Sequence, residues 1–244
     1  MSAVAEASPP STPGLLPPST FAARALAFYA SLRVPKVPRG VLVMNPYRDR
    51  RVRGYVRAFL EKYYADNEPR TLVLGINPGR FGAGITGITF TDPVALADFC
   101  GIANDLPRRR ELSSVFIYDV IHALGGPMPF FRRFFLTAVS PLGFTRGGLN
   151  LNYYDRPDLR RAVTPFIERS LARHVAMGGR SDRAVVLGRG DNARFVADVN
   201  ERRGFFRSVV ALDHPRFILQ YRRKRAAGYV REYRAALEGP QVTG

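Results

Sequence analysis

Apolar residues recur every three to four positions over residues 20–31 and 51–65, the period of a helix with one buried face, and both segments are predicted to be amphipathic helices. Leu72, Val73 and Leu74 then form an unbroken apolar run that Gly75 ends, so 71–74 reads as a short strand covered on both faces. Asp92 followed by Pro93 has the order of a helix cap and first turn, giving a helix to about residue 103. Another at 113–124 is stopped by Gly125 and Gly126. Further on, the same periods predict strands at 134–139, 184–187 and 205–212, with helices at 157–176, 192–202 and 224–237. Strands separated by helices imply an α/β fold: a single domain with a central, mainly parallel sheet of about four strands and helices on both faces. Ligands of such sheets bind at the carboxyl ends of the strands, where Asn77, Ser140 and His214 fall.

A chain of 244 residues with 46% hydrophobic content can bury one good core, and nothing in it demands a second. Residues 1–18 are rich in Ala, Ser and Pro without apolar periodicity. They are expected to be a disordered tail ahead of a folded domain at 19–240. The tail lacks the basic start and apolar centre of a secretory signal, and no apolar run approaches the roughly 20 residues of a membrane span. A cytoplasmic protein without membrane contact is expected. The single cysteine, Cys100, excludes an intramolecular disulfide framework, a Cys-rich zinc site and an iron–sulfur cluster held by cysteines of one chain. Its place on an apolar helix face points to packing.

Charge narrows the class of partner. Against 20 acidic residues stand 37 basic ones, a formal net charge of +17, and only Lys36, Lys62 and Lys224 among them are lysines. Arginine presents a planar fork that matches phosphate and stacks on bases, so the excess points to nucleic acid. Richness in Ala, Gly and Pro accounts for part of the preference for Arg over Lys; the net sign is independent of it.

The densest chemistry lies in residues 71–90, TLVLGINPGRFGAGITGITF. Gly75, Gly79, Gly82, Gly84 and Gly87 let the backbone come close to a ligand, and between them stand one amide, Asn77, and one ring, Phe90. An amide that orients a water and a ring that stacks on a flat heterocycle suit a nucleobase pocket. Taken alone, a Gly-rich turn is equally well a connector. Gly82, Gly84 and Gly87 spell G-x-G-x-x-G, but they begin seven residues past the strand end and lead into Ile88-Thr89-Phe90-Thr91, which does not open a helix. No Lys-Ser or Lys-Thr follows, so a Walker loop is excluded as well. A second suggestive position is His214, which ends a strand and precedes Pro215-Arg216-Phe217-Ile218-Leu219-Gln220-Tyr221-Arg222-Arg223-Lys224-Arg225, a cluster of basic and aromatic residues. His122 and His174 sit inside predicted helices and read as surface or packing residues. Asp213 should point away from His214 along the strand and is given no role.

These residues resemble the single-strand-selective monofunctional branch of the uracil-DNA glycosylase superfamily, and within it the bacterial relatives of that enzyme. The first motif there, G-M-N-P-G-x-F-G-x-x-x-T-G-x-x-F, is matched by Gly75-Ile76-Asn77-Pro78-Gly79-Arg80-Phe81-Gly82, then Thr86-Gly87 and Phe90, at the same spacing. The second begins His-Pro, as His214-Pro215 do. Between them Phe130-Phe131 to Pro141-Leu142 and Val185-Val186-Leu187-Gly188-Arg189 fall in order, so the resemblance covers about residues 70–237. The mismatch-specific uracil and thymine glycosylases share the G-I-N-P-G loop, but their second motif starts Asn-Pro-Ser.

The resemblance implies a monofunctional DNA repair glycosylase that flips a deaminated base out of DNA, single- or double-stranded, and hydrolyses its N-glycosidic bond as a monomer with no metal and no cofactor. Asn77 would orient the water and His214 would stabilise the departing base. Gly75, Ile76, Gly79, Phe90, Ala138 and Ser140 would hold that base. Arg80, with Arg216, Phe217, Gln220, Tyr221, Arg222, Arg223, Lys224 and Arg225, would wedge the duplex and grip phosphates. No lysine lies in either motif, so no lyase step is expected. One departure matters: the family's asparagine that reads the edge of uracil is replaced here by Ala138, which opens the site to xanthine and hypoxanthine. The rival from another class is a non-catalytic DNA-binding module on the same fold, which would bind in a salt-sensitive manner without releasing a base.

Overall fold

A computed structural model describes residues 20–239; the tail expected at 1–18 lies outside them. Thr20 opens α1 (Phe21–Ala30) by accepting the Ala23 N–H at 3.2 Å, and after β1 (Leu42–Met44) Asp49 opens α2 (Arg50–Tyr63) by accepting the Arg51 N–H at 2.7 Å. Strand β2 (Arg70–Gly75) leads through the one-turn α3 (Ala83–Thr86) into α4 (Pro93–Asp98), α5 (Leu112–Ala123) and α6 (Pro127–Arg133). Then follow β3 (Phe134–Ala138), the hairpin of β4 (Gly143–Arg146) and β5 (Leu149–Leu151), α7 (Pro157–Ala176), β6 (Gly179–Leu187) and α8 (Asp191–Arg203). Strand β7 (Ser208–Leu212), α9 (Pro215–Tyr221) and α10 (Ala226–Glu238) complete the described chain.

The central sheet is parallel in the order β3-β2-β6-β7 and is flanked by helices, the α/β architecture that the alternation of apolar periods implies. Gly75 pairs with Ala138 and Leu187 with Leu212, so the carboxyl ends of all four strands arrive at one edge. Leu72, Leu74, Ala184, Val185 and Val186 are buried without exposure, as strands covered on both faces require. Arg70, buried at the start of β2, is held by a two-pronged contact to Asp66 (2.5 and 2.8 Å) and lies over the rings of Phe21 and Tyr64. Cys100 packs in the core with its Sγ 3.0 Å from the Tyr118 hydroxyl.

Several boundaries differ from the sequence expectations. The helix from Pro93 stops at Asp98 rather than near residue 103, because Gly101 takes φ +61° and turns the chain. Strand β6 begins at Gly179, five residues before the apolar run, since its first half alternates exposed charges that an apolar count misses. The last predicted helix, at 224–237, is α10, and it is preceded by a helix that was not expected, α9, joined to it by a 3-10 turn at Arg223–Arg225. A second sheet, the antiparallel β1-β4-β5, has no counterpart in the expectations; its strands are too short for periodicity to register.

His174 is a core residue. It lies against Phe28 with its Nε2 3.3 Å from Thr137 Oγ1, and burial holds its pKa down to about 3. A base whose folded pKa lies below its unfolded 6.5 stays neutral in the fold while the unfolded chain takes up a proton. Stability is therefore complete above pH 6.5 and declines as pH falls toward 3, at up to about 1.4 kcal/mol per pH unit from this residue. Denaturant melts at pH 7, 6, 5 and 4 should show that decline, and His174→Leu should flatten it; an equal slope in the variant would assign the acid lability elsewhere.

Candidate active site

At the carboxyl edge the loops after β2 and β3 stay paired beyond their strands. The Val139 N–H donates to Gly75 O at 2.9 Å and the Ser140 N–H to Ile76 O at 3.0 Å. This fixes the start of the Gly-rich loop. Asn77 follows, and its amide is clamped from the hairpin side: Oδ1 accepts the Tyr153 N–H at 3.0 Å, and Nδ2 donates to Leu151 O at 3.1 Å and to Pro78 O at 3.4 Å. Both amide protons are thus used. What remains is one lone pair on Oδ1, an acceptor for a water proton.

Phe90 is the one non-glycine residue with positive φ among the described residues, at +54°. A bulky residue there is strained, and a buried network holds it. Thr86 Oγ1 donates to Thr91 O at 2.7 Å and accepts the Ile88 N–H at 3.2 Å, while Thr91 Oγ1 meets the Tyr118 hydroxyl at 3.1 Å. The strain places the Cε2–Cζ edge of the Phe90 ring against Gly75, where a Cβ would stand 2.7 Å from Cε2, and sets the ring beside His214 at 5.7 Å between ring centres. Gly75 therefore makes room for a protein ring, a use of the glycine that the sequence did not indicate.

His214 leaves β7 as the cap of α9. Its Nδ1 accepts the Arg216 N–H at 3.2 Å, so that nitrogen carries no proton and Nε2–H is the donor. Burial and the positive charge of Arg216 hold its pKa down to about 4, so the imidazole is neutral at pH 7.

Gly75, Ile76, Asn77, Gly79, Phe90, Ala138 and His214, all expected at the site, line one cavity of about 120 Å³. An engineered closed cavity of about 150 Å³ holds one benzene, so this open-mouthed space takes one flat heterocycle, with a first ring inside and any second ring toward the mouth. Ser140 stands behind the lining with its hydroxyl donating to Leu142 O at 2.8 Å. The periodicity and motifs missed Glu111, Ser113, Asn150 and Asn152, which also line the cavity. Gly147-Gly148 between two alternating tripeptides is a hairpin signal that would have found the two asparagines; for Glu111, after three arginines, the sequence carries none.

Of the residues expected to contact DNA, Arg216 lines this cavity, and the others lie on the groove beside it or farther along α9 and the turn after it. Arg80 and Arg216 join Phe81, Arg109, Arg110, Glu111, Leu149 and Asn150 along an adjoining groove of about 380 Å³. Arg109 lies over the Phe81 ring at 3.7 Å, and Leu149 at the hairpin tip is 68% exposed. On α9, Phe217 and Tyr221 are 38% and 61% exposed with rings 5.5 Å apart, and Arg222 lies over Phe217 at 5.6 Å. Gln220 donates to the Tyr221 hydroxyl at 2.8 Å, and Arg223, Lys224 and Arg225 continue the basic face on the 3-10 turn. Asp213 points elsewhere, toward Arg189. Among the described residues no group of three or more His, Cys, Asp or Glu is placed to hold a metal, and no helix is long and apolar enough to cross a membrane.

The family profile of the uracil DNA glycosylase superfamily matches residues 61–238. Among solved structures, wild-type SMUG2 of Pedobacter heparinus is 40% identical and superposes with a TM-score of 0.88 over 90% of this chain and 97% of that one. No curated protein matches the chain significantly. With a superfamily profile spanning most of the described domain and a solved SMUG2 structure that matches nearly end to end, the chain belongs to the uracil-DNA glycosylase superfamily and is a DNA glycosylase, a hydrolase of N-glycosyl bonds.

Proposed function

We propose that the protein removes a deaminated base, uracil and also xanthine or hypoxanthine, that has been flipped out of DNA into the cavity between Phe90 and the Gly-rich loop. The observation that carries this reading is the convergence of three groups on one ring-sized space: a strained aromatic ring, a clamped amide with one free lone pair, and a neutral imidazole with a free Nε2–H. Phe90 stacks on the base. As the bond from C1′ to the base breaks, negative charge grows on the base and the preorganised His214 Nε2–H donates a hydrogen bond to it while keeping its proton. Asn77 Oδ1 accepts from the water that adds to C1′; an amide has no basicity at pH 7, so it orients and does not deprotonate. The aromatic pair Phe217 and Tyr221 on α9, with Arg222 to Arg225 behind it, fills the gap in the stack and holds phosphates. The enzyme works as a monomer in the cytoplasm, kept at the nucleoid by DNA itself, and needs no metal or cofactor.

The test is alkaline cleavage of oligonucleotides bearing one uracil, xanthine, hypoxanthine or mismatched thymine, single- and double-stranded, in EDTA. Release of a deaminated base is expected. Binding without release from any of them at enzyme excess would leave a non-catalytic DNA-binding module in its place.

Ala138 gives the same panel a second use. It forms the β3 end of the cavity and offers no hydrogen bond to a base edge, so discrimination there rests on shape. Ala138→Asn should raise the preference for uracil over xanthine by about 1 to 3 kcal/mol, since a site that pairs with a base edge discriminates more sharply than an apolar one. An unchanged ratio of single-turnover rates would show that the base edge is read elsewhere.

A further inference from the structure

We propose that Glu111 supplies the carboxylate that the first motif lacks, standing beside the sugar C1′ to stabilise its developing positive charge and take the proton of the attacking water. This rests on the glycosylase reading above.

The placement follows from two adjoining spaces. The ring-sized cavity takes the base, and the arginine-lined groove beside it suits the phosphates. A nucleotide's sugar joins its base to its phosphate, so it has to lie where the two spaces meet. Glu111, Asn150 and Arg216 are the residues common to both linings, and Glu111 is the acidic one.

The carboxylate is held at that junction without being used there. The Glu111 N–H donates to Asp92 Oδ2 at 2.8 Å, which fixes the backbone ahead of α5, yet the side chain does not cap that helix. Among the described residues it makes no hydrogen bond and no ion pair. It lies instead along the Gly-rich loop: a Cβ at position 79 would come 3.4 Å from Oε1, and one at position 82 would collide with Oε2. Gly82 of the first motif therefore leaves room for this carboxylate, and Gly79 stands in contact distance of it. The charged groups that face it are Asp92 at the start of α4, Arg109 on its own loop and Arg216 on α9. Burial and Asp92 push its pKa up, against the two arginines, which makes it a stronger base than an exposed glutamate. A bare carboxylate in a groove for phosphates weakens DNA binding, a cost that a purely structural residue would not impose.

The step balances. The water oxygen bonds to C1′ as the bond from C1′ to the base breaks; the electron pair of that bond stays on the base against the His214 Nε2–H. The water proton passes to Glu111 and on to solvent, and the base takes up a proton on release.

Glu111→Gln, equal in size, tests this in single turnover on a uracil oligonucleotide. A rate about 100-fold lower is expected, with DNA affinity equal to or tighter than wild type. The acid limb of the pH–rate profile, placed above the ordinary glutamate value, should disappear. Glu111→Ala should be slow as well and be partly rescued by formate, which restores a carboxylate and no scaffold. A Glu111→Gln rate within about twofold of wild type, or a slow variant with an unchanged pH profile and no formate rescue of Glu111→Ala, would overturn the assignment. A wild-type protein that releases no base in the same assay would instead remove the glycosylase reading, and this role with it.

Discussion

His214→Ala should slow base release in single turnover by about two to three orders of magnitude, the usual effect of losing one preorganised donor to a developing anion, worth roughly 3 to 4 kcal/mol. DNA affinity should stay close to wild type, because the imidazole lines the base cavity and not the basic face of α9. Alanine also deletes the cap of α9, since His214 Nδ1 accepts the Arg216 N–H. His214→Asn separates the two effects. Asparagine is among the best helix caps but is too short to carry its amide to where Nε2–H points, so it should melt like wild type and react as slowly as alanine. The protonation state gives an independent check. With its pKa held near 4, His214 is neutral over the working range, and the rate should show no step near pH 6.5 from this group. A rate that climbs as pH falls through 6.5 would mean an imidazolium acts there, and near-wild-type release by His214→Ala would take the residue out of the chemistry altogether.

How much of this could be read from the chain depends on distance along it. The parallel sheet was legible because its strands are local apolar runs separated by local helical periods, whereas the order in which they pair, β3-β2-β6-β7, was not. Asn77 and His214 were legible because each lies at a strand exit, and Phe90 because it stands in the same dense Gly-rich segment as Asn77. The hairpin β4–β5 was not, although it is what clamps Asn77: the contacts from Asn77 to Leu151 and Tyr153 span more than 70 residues, and its strands are three or four residues long. Glu111 was hidden for a related reason. Its meaning comes from glycines 79 and 82, which approach it only after the chain folds. Gly75 was read as a place of close approach to a ligand; the fold adds a second neighbour that the sequence did not indicate, the edge of the Phe90 ring.

The clamp on Asn77 predicts an outcome that the motif alone would reverse. A carboxylate is a far stronger base than an amide, so Asn77→Asp looks like a gain in the activation of water. Here Nδ2 donates to Leu151 O at 3.1 Å, and an aspartate would set a second acceptor against that carbonyl. The amide orientation that frees Oδ1 for water depends on this donation together with the Tyr153 N–H. Asn77→Asp and Asn77→Ala should therefore both fall by about two to three orders of magnitude at pH 7.5, the size of effect expected for a preorganised group. They should then part company in acid. The carbonyl raises the pKa of the new carboxyl by favouring its neutral form, and once protonated that carboxyl can donate to Leu151 O as the amide does. Relative to wild type at each pH, Asn77→Asp should recover as pH drops toward 5, whereas Asn77→Ala should not. Wild-type rates for Asn77→Asp at neutral pH would show that a carboxylate at this position activates water directly and that the donation to Leu151 O is dispensable.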